Sequence, residues 1–493
     1  MMSDMRRAIS MLLALLGVAI PPLRAQSVRA ITLDEAIILA RTGSVDAAVA
    51  LNQLKTAYWE YRTFRADLLP EVNLDATLPS YRKSYNAYQQ SDGSYTFVRN
   101  NYLQLNGELS VSQNIWLTGG KLSLNTSLDF MRQLSSPRSS RYMSIPIALT
   151  LSQPVFGTNH VRWNRRIAPV RYAEARARFI SETEQVAMTA ITHYFNLLMA
   201  REQVKIAEQN LANSEKLYEV AIAKRGMGKI SENDLLQLEL NVLDARSDLT
   251  SKSSDMKNCM FRLRSFLGLS DDVEIEPVVP GDIPGGKVIY ADILDRALVN
   301  NAFSRNIRRR QLEADYEVAK ARGNMREITL YAQIGFTGTS DALQGAYNPL
   351  KDNQVVQLGL KVPLLDWGKR RGKVKLAQSN RDVVESRLRQ ERLDFSQDIF
   401  VLVERFNNQR EQVAIAAKAD EIAARRYFTN VETFMIGKLS TLDLNDSQIK
   451  TDEARRHYIN QLFQYWYYYY QLRSITLTDP GTGRLITVDM DKL

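Results

Sequence analysis

The residue types that most often catalyse reactions or bind metals are scarce in this sequence of 493 residues. Its three histidines, His160, His193 and His457, lie far apart and lack the short spacings of metal ligands. Its single cysteine, Cys259, has no neighbouring pattern of a reactive thiol and cannot form an intramolecular disulfide. Neither a glycine-rich phosphate loop nor a nucleophile elbow occurs. The sequence therefore predicts no enzyme, no metal site and no cofactor.

Two carboxylates at helical spacing are the sharpest candidates for chemistry. Asp443 and Asp446 lie three positions apart, so a helix places both on one face. They follow Gly437, Lys438 and Ser440, whose types predict a left-handed turn and the cap of a returning helix. Such a pair attracts cations, but carboxylates also suit the positive N-terminus of a helix. The pattern by itself leaves both interpretations open.

A second segment has almost the same pattern. Gly228, Lys229 and Ser231 precede Asp234 at the same spacing, while Gln237 stands where a second acid would be. Each segment predicts the tip of a helical hairpin. Only the later tip carries paired acids.

The two tips belong to two copies of one plan, offset by 209 residues. In the same ungapped register, Pro154 aligns with Pro363 and Tyr218 with Tyr427. Such agreement over a long stretch indicates internal repetition. The predicted first repeat, 26–280, and second repeat, 281–493, share one order of elements. The elements predicted for the first repeat are a helix, strands in 71–154, a long helix 169–227, the tip 228–231 and a return helix 232–268. The elements predicted for the second repeat are a helix 291–326, strands 329–363, a long helix 371–436, the tip 437–440 and a return helix 441–475.

The long helices have about 60 residues each, which corresponds to roughly 90 Å. In the first, Leu197, Ala200, Val204 and Ala207 begin a heptad seam that predicts coiled-coil packing. The strand regions alternate apolar and polar residues in runs near the length that crosses a bilayer as a tilted strand. A small soluble sheet is the alternative. We predict two runs in the second repeat and four in the first, namely Val72–Leu78, Leu103–Trp116, Leu122–Phe130 and Ser144–Gln153.

The N-terminus has the order of a secretory signal peptide, which we predict over residues 1–25. Arg6 and Arg7 precede an apolar stretch that ends at Pro21, and the small Ala25 suits the cleavage site. Beyond it, no apolar run is long enough for a membrane-spanning helix, so we expect a periplasmic, secreted or β-barrel protein. The formal net charge of +9 is spread along the chain, which predicts no nucleic-acid partner.

Over nearly its whole mature length the chain resembles the TolC-type outer-membrane efflux and secretion channels. The residues that carry this resemblance are Leu33-Asp34-Glu35-Ala36-Ile37, Leu68-Leu69-Pro70, Pro154, Pro363, Tyr194-Phe195-Asn196-Leu197-Leu198 and the two glycine-centred tips followed by Asp-Leu. The resemblance implies an α+β membrane protein, a trimeric outer-membrane β-barrel continued by a long α-helical coiled-coil barrel in the periplasm. Because the strand region of the first repeat is unusually long, the number of barrel strands stays open.

The resemblance also implies a function, partners and site residues. The protein would be the outer-membrane exit duct of a tripartite efflux or secretion system, a passive path for small molecules or other cargo. It would form a homotrimer, contact outer-membrane lipid and bind a periplasmic adaptor, which in turn binds an inner-membrane pump. Asp443 and Asp446 would line the narrowest point of the tunnel. The tips would dock the adaptor through Gly228, Lys229, Ser231, Asp234, Gly437, Lys438 and Ser440. Simple helical turns are the alternative for the tips.

The sequence leaves two further interpretations open, one of a basic cluster and one of the function. Basic residues follow each strand region. They could contact anionic lipid headgroups or cargo, or they could form only the solvated start of a helix. These residues are Arg162, Arg165, Arg166 and Arg171 in the first repeat, and Lys369, Arg370, Arg371, Lys373 and Lys375 in the second. A periplasmic adaptor, which also contains long helical hairpins, is the alternative function.

Overall fold

The computed structural model describes residues 27–135, 137–228, 230–271, 273–281, 283–325, 328–360, 365–435, 438–439 and 441–487. The predicted signal peptide, Pro363 and three tip residues, Lys229, Gly437 and Ser440, lie outside these ranges. The helices and strands within them are β1 (Ser27–Ile31), α1 (Leu33–Gly43), α2 (Val45–Ala66), β2 (Glu71–Gln89), β3 (Tyr95–Asn114), β4 (Lys121–Gln133), β5 (Ser139–Pro154), α3 (His160–Gly226), α4 (Glu232–Leu267), β6 (Val273–Pro277), α5 (Tyr290–Asn300), α6 (Ala302–Gly323), β7 (Ile328–Ser340), a 3-10 helix (Gln344–Tyr347), β8 (Lys351–Leu360), α7 (Lys369–Met435) and α8 (Thr441–Thr476).

The chain divides into two compact units, each built from separate stretches of sequence. The first unit comprises the described parts of Met1–Ala50, Ile180–Ile293 and Val401–Leu493. The second unit comprises those of Leu51–Phe179 and Leu294–Phe400. Both halves of the sequence therefore contribute to each unit.

The helices of the two halves have matching lengths. In each half the order is 11, 22, 67 and 36 residues, first for α1 to α4 and again for α5 to α8. Lys369 follows His160 by 209 residues, as Thr441 follows Glu232.

Each opening helix, predicted as one piece over 32–69 and 291–326, is divided in two by a polar residue. Thr32 caps α1, because its hydroxyl accepts the backbone N–H of Glu35 at 3.3 Å. Ser44 is extended, and its hydroxyl accepts the N–H of Ala47. Asn301 is extended too, and its side chain accepts the N–H of Phe303 at 2.8 Å. These local hydrogen bonds start a new helix at each position.

The first long helix begins at His160, nine residues before the predicted start at Pro169. Asn159 accepts the backbone N–H of Arg162 at 2.8 Å and so caps this earlier start. Pro169 consequently lies inside the helix, where it removes one backbone hydrogen bond. The prediction that this proline occupies the first turn was wrong.

The core of the first unit forms around α3. Leu197 and Ala207 of the predicted heptad seam are buried. Tyr194 is fully buried, and its hydroxyl lies 2.9 Å from the carbonyl oxygen of Ile31 and accepts the N–H of Val278 at 2.8 Å. Burial raises the pKa of this phenol to about 12. Tyr194 thereby ties α3 to the small parallel sheet of β1 and β6.

A buried ion-pair network also belongs to the first unit. The side chain of Glu184 is 1% exposed, and it accepts hydrogen bonds from Arg41 at 2.6 Å and from Arg473 at 2.8 Å. Arg473 also pairs with Asp479 at 2.7 Å. Burial would lower the pKa of Arg473, but the hydrogen bond and charge of Glu184 outweigh it and raise this pKa. The network joins α1, α3, α8 and the segment after α8.

The second unit has a buried acid of the same kind. Glu174 on α3 accepts hydrogen bonds from Arg309 at 2.6 Å and from Asn306 at 2.9 Å, both on α6. Burial alone would raise the pKa of Glu174, but these donors and the charges of Arg309 and Arg178 hold it below its usual value. Glu174 therefore stays ionised and fixes α6 against α3.

The second unit also contains one antiparallel sheet of six strands in the order β2-β3-β4-β5-β7-β8. The four strands of the first half and the two of the second agree with the predicted counts. A turn that contains Thr118-Gly119-Gly120 joins β3 to β4, where Asn114 pairs with Lys121. Each strand exceeds its predicted run, and β2 and β3 reach 19 and 20 residues.

Candidate functional site

One face of the six-stranded sheet carries an apolar row that crosses the strands. Paired positions place these side chains side by side, in the order Val72, Val111, Leu124, Leu149 and Ile334. Val356 and Leu358 continue the same face on β8. Val72 is 64% exposed and Ile334 is 54% exposed, so no layer of the described residues covers this face. An apolar sheet face of this extent requires an apolar environment.

The opposite face is polar or small. The adjacent row consists of Asn73, Ser110, Asn125, Ala148, Gly335 and Asn353. On this face Asn125 donates a hydrogen bond to Glu108 at 2.7 Å. One apolar and one polar face are typical of a wall that separates lipid from water.

Neither a membrane-spanning helix nor a cluster of metal-binding side chains occurs in the described part of the chain. Within the described residues, no helix combines the length and the apolar character needed to cross a membrane. The same ranges contain no group of three or more His, Cys, Asp or Glu side chains that could hold a metal ion.

The first tip is a tightly capped helical turn. Gly228 has a φ of +70°, and its N–H bonds to the carbonyl oxygen of Arg225 at 2.8 Å. Ser231 and Asp234 form a capping box, in which the Ser231 hydroxyl accepts the N–H of Asp234 at 3.1 Å. Hydrogen bonds from the hydroxyl and the N–H of Ser231 hold the pKa of Asp234 below its usual value. Asp234, predicted as a docking residue, thus also stabilises the turn.

The two glycines of this tip should respond oppositely to substitution. We expect Gly228→Ala to destabilise the tip by ~1 kcal/mol, since a side chain disfavours positive φ. Gly226→Ala is the matched control, because Gly226 is the last residue of α3 and its φ is not positive. At both glycines an added Cβ would meet no atom within 4 Å, so space does not distinguish the two substitutions. Gly226→Ala should stabilise the helix by up to ~1 kcal/mol. Hydrogen exchange of the tip amides measures both effects, and equal exchange in the two variants would contradict the assigned turn.

At the second tip, the structure adds a basic partner to the predicted acid pair. Asp443 lies in the first turn of α8, and Asp446 follows it on the same helix. The carboxylate of Asp446 accepts a hydrogen bond from Arg426 of α7 at 3.1 Å, and both side chains are more than half exposed. Lys438 precedes them and is exposed. Each chain therefore presents two carboxylates, one guanidinium and the Lys438 ammonium group at this tip.

One comparison with known proteins identifies the family. The model of the family described as outer membrane efflux protein matches residues 37–269 and 298–476. The chain belongs to the outer membrane efflux protein family. A comparison of the sequence with curated proteins found no match.

Solved channel structures share the fold of this outer membrane efflux protein. The CmeC outer membrane channel of Campylobacter jejuni is 16% identical with a TM-score of 0.65, and the match covers 93% of this chain and 88% of that one. The outer membrane protein VceC of Vibrio cholerae is 15% identical with a TM-score of 0.61, covering 92% and 96%. The MtrE outer membrane channel of Neisseria gonorrhoeae, solved in its open state, is 14% identical with a TM-score of 0.58, covering 92% and 91%.

Membership of this family decides the class of function. The protein is an efflux duct of the outer membrane. It is not a periplasmic adaptor, which was the alternative from the sequence. The family consists of channels rather than enzymes.

Sequence reasoning missed the charged residues that hold the helices together. Arg426 lies on an exposed face of α7 and nothing nearby in the sequence marks it as a partner of Asp446. Glu184 did leave a signal, because it stands between apolar positions of a helix, close to Val186 and Ala187. An acid in such a place indicates a buried pair.

Proposed function

We propose that three copies of this chain close one barrel in the outer membrane and continue it as a helical tunnel, the passive exit path of a tripartite efflux system. The observation that carries the proposal is the six-stranded sheet with one apolar and one polar face. Among the described residues, its edge strands β2 and β8 each have a neighbouring strand on one side only, which leaves backbone hydrogen-bonding groups on the other side. A closed barrel removes such edges.

Strand directions support closure between copies. All neighbouring strands are antiparallel, so β2 and β8 run in opposite directions. The β8 strand of one copy can therefore pair with β2 of the next in the same antiparallel pattern. With six strands from each of three copies, the barrel would have 18 strands, an even number as expected for such barrels.

The matching helix lengths support two structural repeats in each chain, and hence six hairpins in a trimer. We propose that the tips, with Gly228, Lys229, Ser231, Asp234, Gly437, Lys438 and Ser440, dock a periplasmic adaptor that binds an inner-membrane pump. We further propose that Asp443 and Asp446 line the narrowest point of the tunnel. The capped turn at Ser231 and the exposed Lys438 support docking, since both leave polar groups at a helical end.

A disulfide between the two sheet edges tests closure directly. In a chain with Cys259→Ser, we expect Val72→Cys combined with Val356→Cys or Leu358→Cys to give covalent trimers on non-reducing gels. Within one chain β2 and β8 are five inter-strand steps apart, roughly 24 Å in a flat sheet, whereas a disulfide needs Cα atoms within about 7 Å. Any bond must therefore join two copies.

The single variant Val72→Cys is the control and should give no covalent trimer. If the paired variants reach the outer membrane but stay monomeric under oxidation at every tested pairing, the proposed closure is wrong.

A further inference from the structure

A groove lies between α6 and α7 in the second unit, with a volume of about 760 Å³. Its lining includes three small residues, Ala314, Ala321 and Ala377, and the apolar Leu376 and Val384. The other lining residues are polar or charged. This lining suits a molecule with an apolar part and a polar end.

The groove is strongly basic. The two acids that line it, Glu313 and Glu317, are outnumbered by five bases, Arg310, Lys320, Arg370, Lys373 and Arg381. Three of these bases have carboxylate partners. Arg310 pairs with Glu391 at 2.6 Å, Lys320 with Glu317 at 3.4 Å, and Arg381 with Asp382 at 2.9 Å.

The other two bases, Arg370 and Lys373, lie one helical turn apart. In the described ranges, no carboxylate lies within 4 Å of either charged group. Arg370 donates one hydrogen bond to the carbonyl oxygen of Met325 at 2.8 Å, which orients it, and its charge interacts with the Asp366 carboxylate without an ion-pair contact. The excess positive charge is therefore concentrated at this end of the groove.

The backbone at the start of α7 does not need an anion. Asp366 accepts the N–H of Arg370 at 3.2 Å and that of Gly368 at 3.0 Å. The side chains of Arg370 and Lys373 are thus the groups that remain for a ligand.

The position of this end in the chain indicates the ligand. Asn324, which lines it, is four residues before β7, and Arg370 is ten residues after β8. If the sheet spans the outer membrane, this end lies close to the periplasmic headgroup layer. Guanidinium and ammonium groups are the usual protein partners of phosphate.

We propose that the groove binds the phosphate of an anionic phospholipid at Arg370 and Lys373, with an acyl chain along Leu376 and Val384. This proposal rests on the proposed function for the position of the sheet in the membrane. A soluble phosphate ester shares the headgroup chemistry but lacks the chain.

Lipid retention by the detergent-solubilised protein tests the site. The purified protein is mixed with phosphatidylglycerol or with phosphatidylcholine, and bound lipids are counted by native mass spectrometry. We expect Arg370→Gln with Lys373→Gln to lower phosphatidylglycerol retention about 30-fold, since each basic group contributes ~1 kcal/mol to binding an anionic lipid. The matched control is Arg371→Gln with Lys375→Gln, which removes the same charge from the same helix turn but outside the groove. It should lower retention far less than the groove variant.

Each result decides between defined outcomes. Equal retention by the two double variants, or equal retention of the two lipids by the wild type, would overturn the proposal. Loss of bound lipid on adding 10-fold excess glycerol phosphate would overturn the assignment of a phospholipid as the ligand. It would identify a soluble phosphate ester instead. Covalent trimer formation by the edge-cysteine variants is measured separately, so failure of barrel closure is distinguishable from failure of this site.

Discussion

Replacing both Asp443 and Asp446 with Ala is expected to lower the preference of the channel for cations and to raise its conductance. If the acids line the narrowest point, three copies place six carboxylates and three Arg426 guanidiniums around it. Removal of the carboxylates eliminates the excess negative charge, and the smaller Ala side chains widen the opening. A loss of ~1 kcal/mol in electrostatic preference lowers the K⁺/Cl⁻ permeability ratio roughly fivefold. Reversal potentials in planar bilayers measure this ratio.

Arg426 provides a variant with the opposite sign. Because its guanidinium bonds to Asp446, Arg426→Gln should leave the acids less compensated and raise the permeability ratio. The matched control is Asp234→Asn, which removes the equivalent acid from the first tip, where Gln237 stands at the position of the second acid. It should change the ratio little. Unchanged selectivity in the double Ala variant would exclude the acid pair as the constriction.

The largest expected effect on stability comes from Glu184→Gln. The substitution leaves Arg41 without a carboxylate partner and Arg473 with only Asp479. The Glu184 side chain is 1% exposed, so the pairs that are lost are buried. Breaking a buried pair by removing one charge costs about 3 kcal/mol or more. We expect a clear fall in the thermal unfolding temperature of the detergent-solubilised protein.

Glu421 allows a direct comparison with an exposed acid. It also bonds to two basic side chains, Lys418 at 2.8 Å and Arg425 at 3.0 Å, but it is half exposed. Solvent and salt screen such pairs, so Glu421→Gln should change the unfolding temperature very little. If the two substitutions had similar effects, burial would not be the source of the stability of the Glu184 network.

An 18-stranded barrel would have consequences for the cargo. Barrel diameter grows with the number of strands, so a sheet of six strands per copy gives a wider membrane opening than a sheet of fewer strands would. The helical tips would then set the size limit of the duct, because the acid pair lies there and not in the sheet. This is a further reason to measure conductance in tip variants first.

The features predicted well from the sequence were those with short-range causes. Gly228 and Ser231 indicate the tip because positive φ and capping depend on residues a few positions apart. Alternation indicated four strands in the first half and two in the second. The same local rules gave wrong boundaries where a single polar residue decided the result, at Ser44, Asn159 and Asn301.

The family resemblance, and with it the function, also came from the sequence, because ordered and duplicated motifs persist where overall identity is low. What only the tertiary structure decided are contacts between residues far apart in the chain. The joining of β5 to β7 makes one sheet from two halves, and it aligns Leu149 with Ile334 in the apolar row. The bond of Arg426 to Asp446 and the burial of Glu184 likewise depend on which helices pack together. No local pattern encodes such pairs, since their free energy comes from groups that the fold alone brings within a few ångströms.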